Sequence, residues 1–470
     1  MAPGAVRWLS GDGPEALGGM TKLWFESALL PRGWADRVRL TVVDGCIDKV
    51  ETDVTPDEGD EQHSIAVPGL GNVHSHGFQR GLAGLTERRG PTGDSFWTWR
   101  ELMYRFVERI DPDEWEAITA QAFAEMLESG FTHVGEFHYV HHDRDGVPFA
   151  DPGELAGRVA AAARDTGIGL TLLPTFYAHS GFGGAEPAAR QRRFVCDIDR
   201  FARIVESSRK SVEQLPGAHV GVAPHSLRAV TPEELLAVIN LSRSGPIHIH
   251  IAEQTKEVDD CIAWSGLRPV QWLLEHAPVD ERWCLVHATH SNANELKQVA
   301  TAGAVVGLCP MTESSLGDGI FCAAEFADFG GRIGIGTDSN VRIDAAEELR
   351  TLEYSQRLSH RARNVLAAAS GESTGRTLFD AALAGGAAAI EAPAGLEKGA
   401  SADLVSLAAD HPAVLERHGN EILDSWVFAG DRGVVEHVWR GGQKVVVDGH
   451  HVSRGAITAR YRRALKNLLG

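Results

Sequence analysis

Residues 65–76 read Ile65-Ala66-Val67-Pro68-Gly69-Leu70-Gly71-Asn72-Val73-His74-Ser75-His76. An apolar run of strand length ends in two histidines one residue apart, and this grammar recurs down the chain. Residues 132–137, 169–175, 219–223, 247–251, 284–287, 304–309 and 332–337 are further short runs rich in branched apolar residues. Amphipathic stretches separate them, some with explicit helix starts. Thr231-Pro232-Glu233-Glu234 is a capping box with proline at the first helical position, and Asp111-Pro112-Asp113-Glu114 repeats the signal. Eight strand-like runs alternating with helices between about residues 64 and 340 predict a (β/α)8 barrel, since an open doubly wound sheet usually has fewer strands. No Gly-x-Gly-x-x-Gly or phosphate-cradling lysine motif competes.

Outside the barrel both ends are β-rich: residues 39–43 at one end, and 402–407, 434–439 and 444–447 at the other. The expected division is a flexible leader at 1–19, a composite β-sandwich domain from 20–66 and 395–470, and the barrel over 67–394. With 45 Lys+Arg against 64 Asp+Glu the formal charge is −19, and no basic run offsets the repulsion from phosphate. Nucleic acid and anionic membranes are therefore excluded as general partners, while a small anionic substrate can still be held by a few local arginines. Six scattered cysteines without a Cys-x-x-Cys read as buried thiols in a reducing cytosol. No apolar stretch approaches the ~20 residues of a membrane span, so the expected location is the cytoplasm.

Polar residues fall at the C-terminal ends of the strands, where barrel enzymes build their sites. His74 and His76 end the first, His250 the fifth with Glu253 three residues on, His287 the sixth and Asp338 the eighth. His-x-His alone is as readily a pair of packed histidines, but a set of strand-end coincidences points to a metal. Three imidazoles and a carboxylate suit Zn²⁺, and Fe²⁺ or another divalent ion also fits. The chosen ligands are His74, His76, His250 and Asp338. His248 shares a strand face with His250, so spacing does not separate them; His250 is preferred because Glu253 follows it closely. The fourth strand has no lysine that could be carbamylated to bridge two metals, which favours one ion per chain. His141-His142 beside Asp143 reads as an exposed loop pair, and the aromatic segment around Trp97 and Trp99 as a loop packed over the barrel mouth.

This strand-end set resembles the mononuclear deaminase branch of the amidohydrolase superfamily. Six local motifs, beginning at His74, Asp94, Glu136, Pro224, His248 and Leu316, resemble the formimidoylglutamate deiminases over about residues 20 to 460; the segment Trp97-Thr98-Trp99-Arg100 is the most specific. The resemblance implies hydrolysis of N-formimidoyl-L-glutamate in histidine degradation by a zinc-dependent enzyme, expected as a homodimer. It implies Arg100 and Arg228 as carboxylate binders, helped by Gln79, Tyr139 and His225, with Glu253, His287 and Asp338 in the acid/base and electrostatic roles. Two carboxylates on the substrate and the planar fork of guanidinium agree with that assignment. Two other readings remain: an amino-azaheterocycle deaminase acting on a guanine- or adenosine-type base, which would not need both arginines, and a catalytically silent barrel binding a metal or an anion, which would not need Glu253 and His287.

Overall fold

A computed structural model of the chain describes residues 19–90, 93–367 and 369–470; the expected leader lies outside them except for Gly19. Eight parallel strands form the barrel in chain order. They are Leu70–Ser75, Phe131–His138, Gly169–Phe176, a split fourth strand of His219–Val220 and Ala223–Pro224, then Ile247–Ile251, Trp283–His287, Val305–Leu308 and Arg332–Ile335. The first and last pair through Asn72 and Ile335. Closure between the fourth and fifth comes from single bridges, Val222 to Ile247 and Ser226 to His250. The predicted barrel strands are present, with one correction. Residues 65–73 are not one strand: Glu61–Pro68 belongs to the accessory sheet and the barrel begins at Leu70. The chain changes sheet at Gly69, where a Cβ would lie 2.2 Å from the Thr132 side chain. The expected boundary at 66/67 therefore sits inside the last accessory strand of the N-terminal end.

The accessory domain is built from both ends of the chain as one eight-stranded sheet, in the order His450–His451, Gln443–Val447, Val435–Arg440, Leu404–Leu407, Glu61–Pro68, Thr21–Leu30, Gly33–Val43, Cys46–Glu51. Its far edge returns to the segment before Leu404: Ile47 N–H donates to Ala400 O at 2.8 Å and Gly399 N–H to Ile47 O at 2.7 Å. The sheet thus curls over its own apolar core of Leu23, Phe25, Leu40, Ile47, Leu404 and Trp439. Burying side chains from both ends in one cluster makes the two ends a single unit despite the long insertion between them.

Helices cover the outside of the barrel, and Pro112–Leu127 shows why they start where they do. Asp111 accepts the Glu114 N–H at 2.8 Å, Glu114 accepts the Asp111 N–H at 3.1 Å, and proline occupies the first helical position, where an N–H would go unused. Helix Thr374–Ile390 seals the barrel from below. It approaches so closely that a Cβ at Gly385 would fall 2.0 Å from the Ile333 carbonyl oxygen. Its last carbonyls are satisfied from inside the barrel, where His248 Nε2 donates to Ala389 O at 2.8 Å and the Thr171 hydroxyl donates to Ile390 O. All six cysteines are free; Cys46 and Cys322 are exposed, which corrects the expectation that all would be buried. Among the described residues no helix is long and apolar enough to cross a membrane.

Candidate active site

At the C-terminal end of the barrel His74, His76, His250 and Asp338 each offer a ligand atom, all within 4.8 Å of one another and all buried. His74 Nε2 lies 3.4 Å and His76 Nε2 3.3 Å from Asp338 Oδ1. His76 Nδ1 faces Phe137 O at 2.9 Å and His250 Nδ1 faces His225 O at 3.0 Å. Those carbonyls only accept, so each ring carries its proton on Nδ1 and leaves Nε2 as a lone pair turned inward. His250 Nε2 and His74 Nε2 sit 3.0 Å apart. Lone pairs and a carboxylate oxygen gathered in a buried spot fit a divalent cation, and the set contains no thiolate of the kind that builds closed structural sites. Burial lowers the pKa of His74, His76 and His250, so these rings are neutral at physiological pH, as ligation requires. Burial pushes Asp338 up, but the hydrogen bond with His74 and the nearby His76 and His287 outweigh it and hold the carboxyl below the usual carboxylate range. His248, the alternative that spacing left open, points down to Ala389 O instead.

Asp338 and His287 both have left-handed backbones, with φ of 42° and 68°, which residues bearing a Cβ seldom adopt. The conformation of Asp338 is clamped on both sides: its N–H donates to His74 O at 2.9 Å and its carbonyl accepts from His76 N–H at 3.0 Å. Asn340 adds a third hold, its Nδ2 donating to Asp338 O, His76 O and the Ser75 hydroxyl. A Cβ at Gly336 would lie 2.8 Å from His74 O, so only glycine lets the eighth strand come this close to the first.

His287 Nε2 stands 3.8 Å from both Glu253 Oε1 and Asp338 Oδ2, while its Nδ1 is 3.2 Å from Glu313 Oε1. Burial opposes charge on this ring, yet Glu253, Glu313 and Asp338 together raise its pKa and keep it cationic. Glu253 is itself raised, chiefly by burial, so its carboxyl holds a proton to higher pH than usual. Three polar residues of this network were not anticipated from the sequence. Glu313 accepts from the Cys309 N–H as well as facing His287. Glu257 accepts from the Ala252 and Glu253 N–H groups, and Asn340 clamps the Asp338 turn. Glu313 follows the end of the seventh strand by a few residues, so the strand-end rule extended by one helical turn finds it.

Beside this centre a cavity, partly open to solvent, is lined by Gln79, Arg100, Tyr139, His225 and Arg228 together with His76, His250, Glu253, His287 and Asp338. Gln79 Nε2 donates to the Tyr139 hydroxyl at 3.1 Å, and His225 Nδ1 is 3.2 Å from Ser226 Oγ. Burial, with Arg228 close by, pushes the His225 pKa down. Among the described residues neither Arg100 nor Arg228 forms an ion pair, and the Nε of each is buried without a partner. The carboxylates that could have quenched Arg100 are engaged elsewhere, Glu101 by Arg190 and Glu108 by Arg192. The aromatic segment expected as a loop is a helix, Phe96–Val107, whose Phe96, Trp99, Arg100, Met103 and Tyr104 form one wall of the cavity. His141 and His142 are not exposed: both are buried, with Nε2 facing Thr175 O at 2.8 Å and Val195 O at 2.9 Å.

Residues 65–445 match the amidohydrolase family, and residues 20–64 match the N-terminal domain of formimidoylglutamate deiminase HutF. A formimidoylglutamate deiminase of Pseudomonas aeruginosa is 48% identical over 454 residues, covering 96% of this chain and 99% of that one. A 5-methylthioadenosine/S-adenosylhomocysteine deaminase of Natronomonas pharaonis is 29% identical, with 83% of both chains covered. The crystal structure of an amidohydrolase from Brucella melitensis has a TM-score of 0.93 at 55% identity, covering 96% of this chain and 100% of that one. The strand-end cluster of three histidines and an aspartate and the two-ended accessory sheet thus occur in a chain that belongs to the amidohydrolase family and, within it, to the formimidoylglutamate deiminases.

Proposed function

We propose that this chain is a metal-dependent deiminase that hydrolyses N-formimidoyl-L-glutamate to N-formyl-L-glutamate and ammonia, a step of histidine degradation. The observation that carries the substrate is the pair of guanidinium groups without carboxylate partners, Arg100 and Arg228, on the wall of the cavity that also contains the His and Asp cluster. Two unquenched cations in a buried wall call for a ligand with two negative charges, which this substrate brings and a neutral base does not.

His74, His76, His250 and Asp338 would hold the metal, with zinc favoured by three imidazoles and one carboxylate. A divalent ion there supplies Lewis acidity that makes water a usable nucleophile near neutral pH. The side chains do the rest. Arg100 and Arg228 bind the two carboxylates, with Gln79, Tyr139 and His225 shaping the space between them and the reacting carbon. Asp338 accepts a proton from the attacking water as its oxygen bonds to the formimidoyl carbon. Cationic His287 donates a hydrogen bond toward the oxygen where negative charge grows. Glu253, whose pKa burial raises to about 7, delivers a proton to the departing nitrogen. The proton taken up by Asp338 reaches the same nitrogen as the C–N bond breaks and ammonia leaves, while the C=O bond of the formyl group forms and the remaining hydroxyl proton returns to Glu253. A cytoplasmic location belongs to the same reading and is supported by the free thiols; a homodimer belongs to it by family likeness alone.

The test is ammonia release by zinc-loaded protein from N-formimidoyl-L-glutamate, run beside guanine and adenosine with chelated protein as blank. Metal-dependent release from the formimidoyl substrate alone is the expected result. Release only from a purine would overturn the substrate, and release from none would overturn the reaction.

A further inference from the structure

Arg100 and Arg228 come from distant segments, the helix Phe96–Val107 and the turn after the fourth strand, yet their guanidinium groups meet at one indole. The Cζ of Arg100 lies 4.6 Å and that of Arg228 5.9 Å from the ring centroid of Trp97. Arg100 is also 5.6 Å from the Tyr104 ring. Trp97, Arg100 and Tyr104 share one face of the helix, three and four residues apart. Two cations brought together in a half-buried wall repel, and the usual remedy is a carboxylate between them. Among the described residues no carboxylate forms an ion pair with either: Glu101 and Glu108 of the same helix are engaged by Arg190 and Arg192, and Glu257 and Glu253 act on Arg228 only through space. A π face attracts a cation without cancelling its charge and without occupying the planar donor edge. Trp97 itself does not line the cavity, whereas Arg100, Arg228 and Tyr104 do.

We propose that Trp97 is a positioning residue which holds Arg100 and Arg228 side by side as one dianion-binding unit, and so sets the preference for ligands with two carboxylates over ligands with one. This rests on the functional reading above. It requires that Trp97 act on binding and leave the chemical step untouched, because the metal-ligand cluster, Glu253 and His287 are held by other contacts.

The experiment compares Trp97→Leu and Trp97→Phe with the parent enzyme, all zinc-loaded, in turnover of N-formimidoyl-L-glutamate and in competitive inhibition by glutarate and by butyrate. Replacing a desolvated cation–π contact should cost about tenfold in affinity. Trp97→Leu is therefore expected to raise KM and the glutarate inhibition constant by about tenfold, with kcat within about twofold and butyrate inhibition little changed. Trp97→Phe, which keeps an aromatic face, is expected to recover most of the loss. Should Trp97→Leu lose its fold by circular dichroism, Trp97→Phe carries the test through its ratio of glutarate to butyrate inhibition, expected to fall by about two- to threefold. An unchanged KM, a loss confined to kcat, or equal weakening of glutarate and butyrate would overturn the role of Trp97 while the parent enzyme still turns over. A parent enzyme that neither releases ammonia from N-formimidoyl-L-glutamate nor binds glutarate would overturn the substrate assignment and this proposal with it.

Discussion

The proton affinities of Glu253 and His287 are set by their surroundings and not by residue type. Burial raises the pKa of the Glu253 carboxyl to about 7, and the facing Glu253, Glu313 and Asp338 raise that of the His287 imidazole against its own burial, so Glu253 and His287 compete for a proton. Glu253→Gln keeps the shape and removes the transferable proton, so kcat should fall by about 10² to 10⁴ while KM moves by less than about threefold. Steady-state assays of ammonia release will show it, and a fall confined to KM would remove Glu253 from the proton path. The two histidines of the fifth strand separate cleanly. His250→Ala should lose most of the bound zinc by elemental analysis, whereas His248→Ala should keep it, because His248 Nε2 is spent on Ala389 O. The reverse pattern would exchange their roles. At this scale the sequence was most readable where a polar residue ends an apolar run, as at His74, His76, His250 and Asp338. It was least readable where partners are backbone carbonyls from remote segments. His141 and His142 look like loop residues until Thr175 O and Val195 O arrive, and nothing local announces them.

Among the elements, the helix Phe96–Val107 departs furthest from its sequence. Its start is crowded with aromatics of modest helix propensity, which reads as an irregular loop. What makes it a helix is tertiary: its aromatic face closes the cavity and its C-terminal end is caught by Arg193. That guanidinium is fully buried and has no carboxylate. It donates to Val107 O, to Ile110 O at 2.9 Å and to His142 O at 2.9 Å, and burial lowers its pKa to about 10, still charged at neutral pH. Arg193→Met would strand three buried carbonyls. Unfolding in urea should register a loss of about 3 kcal/mol, and KM should rise as the cavity wall loosens. Arg193→Lys should rescue little, since one ammonium cannot reproduce the fork. A variant as stable as the parent would mean that water satisfies those carbonyls. The barrel strands, by contrast, were legible as elements because burial on both faces demands continuous branched apolar runs. The break inside residues 65–73 was not, because Pro68 and Gly69 interrupt a run that is apolar on both sides for two different reasons: the accessory sheet before it and the barrel after it.

For the whole molecule, the tie between the two chain ends is the feature with most leverage. Glu61, in a strand of the N-terminal end, faces His63 at 2.9 Å and pairs with Lys444 from the C-terminal end. The hydrogen bond from His63, helped by Lys444 against the cost of burial, lowers the Glu61 pKa to about 2. A carboxyl whose pKa is lower folded than unfolded stabilises the fold above its unfolded value and loses that contribution as pH falls toward the folded one. Glu61→Gln should therefore lower Tm modestly at pH 6, and the difference from the parent should shrink as pH falls from about 4.5 toward 2. Equal Tm values at pH 6, or a gap that widens in acid, would argue against the tie. That both ends meet was visible in the sequence as β-rich tails, but their register was not, since pairing across more than three hundred residues leaves no local signature.

The same arrangement imposes an order in time. Strand Glu61–Pro68 pairs on one edge with Thr21–Leu30, but its other edge belongs to Leu404–Leu407. At about 5 to 20 residues per second on the ribosome, that edge waits roughly 20 to 70 s for its partner while the barrel is made. An open strand edge is a template for the wrong neighbour. The nascent chain therefore spends most of its synthesis with a ready-made adhesive surface exposed, and crowded polysomes become the setting in which this protein is most prone to misassemble.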